Sequence, residues 1–310
     1  VSMKTNRRAM LFALESEYND GATTPEAATD AVLTREITVT PLSGTDIERT
    51  FVRPYYGNSP RAAGEKHVES VVEVELNTSG TPGTPPPWGK MLRACGFSEV
   101  IEEGVSVTYS PVSEDEDSGV FFTHVDGNLH KGRGAHGTAA FTLNAESMPV
   151  IRFTFRALIS PVTQEQLPSV TLSQWRAGLA INSVNTAPLD FMGAVVPFNQ
   201  FSLDMAGQVI HKKIVGSNDI QITGRSPSGQ LMIEDPGVNA KNYFEVSQRA
   251  DTGALKITHG KTAGDIIEIS MPEVGIESPT YSDLEGTQML SINYSPEPID
   301  GNDEVTIVVK

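Results

Sequence analysis

The chain has 310 residues, enough for one large or two ordinary domains, each with its own core. Hydrophobic residues make up 38% and aromatics 7%, with 27 glycines and 20 prolines, a balance that favours many short strands joined by turns over long helices. A formal charge of −16 repels nucleic-acid phosphates on average. That argues against sequence-specific DNA binding, but not against a protein that lets DNA pass without sticking.

Residues 1–30 read as a basic, then polar, leading arm. The apolar run 9–14 is shorter than the ~7–15 residues of a signal-peptide core, and Glu15 and Glu17 end it. No segment approaches the ~20 apolar residues of a membrane span. The expectation is a protein made and kept in a cytoplasm, with no membrane partner. Residues 35–42 (REITVTPL) alternate as a strand. The stretch 43–67 is long and turn-rich, and Arg53, Tyr55, Tyr56 and Arg61 give it the Arg/Tyr character of contact surfaces. A merely mobile excursion is the alternative.

The stretch 71–100 begins as another alternating strand, with Val72, Val74 and Leu76 on one face and Glu69, Glu73 and Glu75 on the other. A Gly/Pro/Thr/Ser linker (79–87) breaks it. A short amphipathic helix follows, with Trp88, Met91, Leu92 and Cys95 at i, i+3, i+4 and i+7 and Gly96 placed to close it. Cys95 is the single cysteine, which rules out an internal disulfide and a cysteine-rich metal site. It reads as a small apolar residue on the buried helix face.

Next come a strand at 105–112, an acidic turn at 114–117, and a hairpin (120–125 and 129–132) around Asp126-Gly127. A second pair joins 137–144 to 150–158. Residues 161–187 form a connector whose part 172–185 is ambiguous. The second half, 188–310, repeats this order of elements: strands at 198–205 and 230–234, a helix candidate at 240–249 with Tyr243 and Val246 inward, a hairpin (254–259 and 265–270), and a last pair (286–294 and 305–309). Matching GTAAFTLNAESMPVIRFTF against GTQMLSINYSPEPIDGNDEVTIVV indicates a diverged internal duplication, with modules at 1–160 and 188–310.

Three patterns invite chemistry. Gly132 to Gly137 matches G-x-G-x-x-G, but strand alternation follows it where a dinucleotide site needs a helix, so the glycines are expected to serve a bend. His124, His130 and His136 are evenly spaced, yet no cysteine or helical H-E-x-x-H accompanies them, and partly exposed strand histidines are expected. Glu114 to Asp117 lacks the ligand spacing of a calcium loop and reads as a solvated turn. No catalytic, cofactor or metal site is assigned.

An ordered set of residues carries a resemblance: Glu73 and Glu75, Ser79-Gly80, Pro86-Pro87, Leu92 to Phe97, Tyr109 to Pro111, Asp126-Gly127, Gly134 to Gly137 and Phe153 to Phe155, with REITVTPL and RTFVRPYYGNSP before them. In order and spacing it resembles the tail tube (major tail) protein family of long-tailed bacteriophages, over the first half of the chain. The second half resembles it less clearly, and its reading rests on the internal repeat. The resemblance implies a mainly β protein of two tandem β-sandwich or barrel modules, each with a short flanking helix. It implies a structural, non-enzymatic virion protein, assembled in the host cytoplasm, whose stacked rings conduct DNA. Its partners would be itself, tape measure, tail terminator and baseplate proteins, and passing DNA that it does not bind specifically. The likeness leans towards a sheathless tail.

On that reading Glu69, Glu73 and Glu75 face an acidic lumen, against the alternative of an ordinary solvent face. The 43–67 loop, through Arg53, Tyr55, Tyr56 and Arg61, touches the adjacent ring. Trp88, Met91, Leu92 and Cys95 pack the helix. Two modules per chain imply trimeric rings with pseudo-sixfold symmetry, and hexamers with an outward-facing second half are the alternative. A tube of a contractile injection or secretion apparatus is the competing function. A β-rich carbohydrate-binding module or enzyme should show clustered exposed aromatics, which two tryptophans and few other aromatics argue against.

Overall fold

The computed structural model describes residue 4 and residues 6–310; the other residues of the expected leading arm lie outside the described part. The first half runs β1 (Arg8–Leu14), β2 (Ala31–Val32), β3 (Glu36–Ser43), β4 (Ile47–Glu48), β5 (Arg61–Ala62) and β6 (His67–Glu75). Helix α1 (Gly89–Arg93) follows, then β7 (Phe97–Glu102), β8 (Ser106–Pro111), β9 (Gly119–Val125), β10 (Asn128–Asn144), β11 (Val150–Ile159) and β12 (Thr163–Gln164). The second half runs β13 (Leu189–Phe191), β14 (Ala194–Val196), β15 (Phe198–Asp204), β16 (Val209–Ile214), β17 (Ser217–Ile222) and β18 (Ser228–Glu234). After α2 (Tyr243–Arg249) come β19 (Gly253–His259), β20 (Ile267–Leu284), β21 (Thr287–Glu297) and β22 (Thr306–Val309).

Strand β10 belongs to two layers. Its first part pairs with β9, its middle with β11, and its end with β15. The register shifts around Arg133 to His136, where Gly134 has φ +57°. A bulge there bends the strand, so the G-x-G-x-x-G glycines do serve a bend. They also make room: a Cβ on Gly132 would stand 2.4 Å from the Phe121 ring, and one on Gly137 would stand 2.6 Å from Phe155. The fold back sets Phe12 of β1 against Phe155 of β11 at 5.1 Å, closing a sandwich.

The pairings repeat. In the first half they run β2–β1–β9–β10–β11–β6–β3. In the second they run β14–β13–β19–β20–β21–β18–β15. Each half places a hairpin (β4–β5, β16–β17) between its first two central strands and a helix after the next strand. Two units with the same connectivity therefore lie in tandem. The sequence match was displaced by one strand pair, because β10–β11 corresponds to β20–β21 and not to residues 286–309. Nor do 286–294 and 305–309 pair together: β21 lies between β18 and β20, while β22 pairs with β20 and β8.

The halves are joined twice, by β10–β15 and by β8–β22. One run, β3–β6–β11–β10–β15–β18–β21–β20, is thus continuous through both. Among the described residues the ladders do not close into a barrel. A single large core crosses the joins, with Trp88, Phe141, Phe153, Phe201, Tyr243 and Tyr294 in it.

Three expectations are corrected. The arm at 1–30 contains the core strand β1, whose Met10, Leu11, Phe12 and Ala13 are all buried because its two faces are covered by different core clusters. Strand β7, which pairs with β8, and the hairpin β16–β17 were not anticipated. The second helix is shorter than 240–249. It starts at the Asn242 cap, whose side chain accepts from the Glu245 N–H, and stops at Ala250, with φ +55°.

Replacing Gly132 by valine places methyl groups against Phe121 and Ala157. It is expected to destabilise the fold by about 1–3 kcal/mol through overpacking. Thr142→Val, on the outer face of the same strand, should leave the urea midpoint nearly unchanged.

Candidate assembly surfaces

Alternation puts one face of the eight-strand run in the core and leaves the other polar. On β6, Val68, Val72 and Val74 are buried, and Glu69, Glu73 and Glu75 point the other way. Cross-strand partners share a face. Successive registers therefore link Glu36, Glu73, Arg152, Ala140, Asp204 and Ser228 in one row. A second row links Thr142, Ser202, Gln230, Asn293 and Glu277. Over the second half of the run this face hollows into a shallow groove of about 580 Å³.

The three carboxylates noted in the sequence are not equivalent. Glu69 meets Arg156 Nε at 3.0 Å and His67 Nε2 at 3.1 Å. Burial raises its carboxyl, but the bonds from His67 and Arg156 outweigh that and hold it below the ordinary value. Burial lowers His67 despite Glu69. The ionic partner of Glu69 at neutral pH is therefore Arg156, with His67 a neutral donor. Glu73 lies 3.7 Å from Arg35 and opposite Arg152, and Glu75 accepts from the Gly178 N–H at 3.4 Å. Exposed Glu36, Asp204 and Glu277 add acid to the same face. They were missed because each sits on a different strand, and only the registers bring them together.

Hairpin β16–β17 lies across one end of this face. Arg156 donates to the Val209 carbonyl at 2.5 Å, the His67 and His211 rings are 5.2 Å apart, and the Ile220 N–H donates to Tyr18 Oη at 2.6 Å. Its counterpart, the 43–67 excursion, stands out from its own module. Val52 and Tyr56 are fully exposed, and Tyr55 is 65% exposed. Arg53 is held over the rings of Phe51 and Tyr55, at 5.5 and 5.9 Å. Arg61 lies opposite Glu48 in β5.

Helix α1 is only five residues long, with Trp88 at its N-cap position. Trp88, Met91 and Leu92 are buried, and Trp88 Nε1 donates to the Asn77 carbonyl at 2.7 Å. Cys95 lies past the helix and packs partly buried against the core. Gly96 takes the left-handed conformation, φ +80°, that the chain needs to leave the helix. The helix covers β1 and β7.

The evenly spaced histidines do not share a site, and among the described residues no three His, Cys, Asp or Glu side chains converge as metal ligands do. Contrary to the expectation of partial exposure, His124 and His136 are buried. His136 stacks on Tyr18 at 5.8 Å.

A family model described as phage tail tube protein matches residues 5–307 of the chain. No curated protein matches it.

Burial lowers His67, His124, His130, His136 and His259 from the ordinary value of 6.5. The unfolded chain takes up these protons as pH falls through 6.5, while the fold resists them. Their contribution to stability is complete above that value and is lost below it. Glu69 adds a further loss below its ordinary 4.5. The melting temperature is expected to fall between pH about 7.5 and about 5, and His136→Gln should flatten that slope.

Proposed function

Because the chain belongs to the phage tail tube protein family, a structural component of the virion tail that assembles with itself into a tube, we propose that three copies close each ring and that the rings stack around a DNA-conducting lumen. The observation that carries this reading is the eight-strand run with strand partners missing at both ends. Among the described residues, strand β3 pairs only with β6, and the second part of β20 pairs only with β21. Unpaired edges invite strand addition, and a head-to-tail contact between different edges generates rings.

The number of strands favours several chains. At about 4.8 Å per strand, eight strands closed on themselves span roughly 12 Å, which side chains reaching ~5 Å inwards from each wall would fill. Three such runs span roughly 37 Å and leave roughly 27 Å open, before strand tilt widens the barrel further. Because each chain carries two units, a trimer presents six and approximates sixfold symmetry.

The polar face of the run is the proposed lumen wall, with Glu69, Glu73 and Glu75 joined by Glu36, Asp204 and Glu277. A basic wall would hold DNA by counterion release, whereas an acidic one repels phosphates. Arg156 offsets Glu69, so the repulsion falls mainly to the exposed acids. The 43–67 excursion is the proposed contact to other subunits, through Arg53, Tyr55, Tyr56 and Arg61. The position of β16–β17 favours a clasp across the ring junction at the base of this excursion, leaving the aromatic tip for the adjacent ring. Assembly in the host cytoplasm, and contacts with tape measure, terminator and baseplate proteins at the tube ends, complete the proposal.

Deleting residues 53–61 is expected to leave a folded monomer, by circular dichroism, that forms no tubes under negative-stain microscopy. Tubes of normal length from this variant would overturn the assignment of the excursion. Cross-sections with a true sixfold axis and six protruding knobs would overturn the trimer.

A further inference from the structure

The internal join between the two units has a counterpart that, among the described residues, no strand covers; Arg8, which donates to the Ile37 carbonyl of β3 at 2.8 Å, is the side chain an incoming strand would displace. Three registers align the units: Ile37–Val72 with Phe201–Leu231, Val74–Ile151 with Ile233–Leu290, and Phe141–Ile151 with Tyr281–Leu290. In this alignment β15 corresponds to β3, and the end of β10 to the end of β20. Inside the chain these ends meet, with Ala140 opposite Asp204, Phe141 opposite Leu203, Thr142 opposite Ser202, and Leu143 opposite Phe201.

We propose, resting on the ring reading above, that the same contact recurs between chains: residues 280–284 of β20 pair antiparallel with residues 36–40 in β3 of a second copy. The register is fixed by the internal join. Thr280 lies opposite Thr40 of the second copy, Tyr281 opposite Val39, Ser282 opposite Thr38, Asp283 opposite Ile37, and Leu284 opposite Glu36.

Burial supplies a second, independent observation. Phe141 is 1% exposed and Leu143 and Leu203 are 0% exposed at the internal join, whereas Tyr281, which corresponds to Phe141, is 60% exposed. Its ring rests at 5.2 Å from Phe244 of α2, so it is already held at the edge with one side bare. An exposed aromatic on an edge strand is an aggregation hazard unless another strand covers it. Across the junction it meets Val39, as Phe141 meets Leu203. On the polar face, Ser282 and Thr38 repeat Thr142 and Ser202, so the wall continues from one chain to the next there; next to the turn, Asp283 and Leu284 exchange the apolar and polar places of Leu143 and Asn144.

The test is a pair of cysteines in the full chain. Directly opposed strand residues have Cβ atoms about 4.5–5.5 Å apart, close enough for a disulfide or a short bismaleimide after small adjustments. Thr38→Cys with Ser282→Cys is expected to convert most of the monomer band of assembled protein into covalent oligomers ending at the closed trimer. Neither single variant should do so. Thr40→Cys with Leu284→Cys, which the register separates by four residues, should not crosslink. Tubes that form without crosslinking at 38 and 282, or that crosslink equally at 40 and 284, overturn the register while leaving the tube reading intact. Crosslinked trimers that never stack support the junction and overturn the tube. Protein that stays monomeric and uncrosslinked at every concentration overturns the junction.

Discussion

The constraint on which the structure depends is that one strand, β10, must satisfy four partners. A straight strand has two edges and one pair of neighbours. By bending at Gly132 to Gly137, β10 changes neighbours along its length, first β9 and β12, then β11, then β15. The bend lets the sheet fold onto itself over Phe12, Phe121 and Phe155. The far end of the same strand then remains free to take on the second unit. Larger side chains at the bend would remove both consequences at once, since the rings of Phe121 and Phe155 already occupy the space. Strand β20, at 18 residues, is the second unit's version of this device, its outer end paired with β21 on one edge and with no strand on the other among the described residues.

Local patterns revealed much of this. Alternation in residues 69–76 gave a strand with the correct inward face, Val72, Val74 and Leu76, and 150–158 was legible as a strand of a pair. Asp126-Gly127 marked its hairpin because both residues adopt positive φ, 37° and 99°. The repeated order of elements was legible, but its alignment was not. Strand β22 imitates β11 in composition while pairing with β8 and β20, and composition carries no partner information. Strand β1 was mistaken for an arm because its apolar run is continuous and not alternating. That is the pattern of a strand covered on both faces, and a short run of this kind also resembles the start of a leader.

The proposed assembly surface was legible only in part. Glu69, Glu73 and Glu75 stood out because they share one strand, but the acids that complete their face are spread over β3, β15 and β20. The neutralising Arg156 comes from yet another strand. Tyr281 gave no signal at all, because an aromatic in a strand reads as core. Its exposure becomes informative only beside the buried Phe141. Helix α1 shows the reverse: Trp88, Met91 and Leu92 announced a buried stripe, and what it covers, β1 and β7, followed from the fold alone.

Strand β22 has a consequence for timing. Ile307 lies beside Tyr109, so an early strand of the first unit receives its neighbour from the end of the second. Arg225 reinforces the same seam, paired with buried Glu304 and donating to the Val112 carbonyl at 2.6 Å. Contacts between residues so distant in sequence form late. During synthesis β8 therefore gains this neighbour only after β22 has been made. A fragment that ends before β22 lacks the sealed seam between the two units.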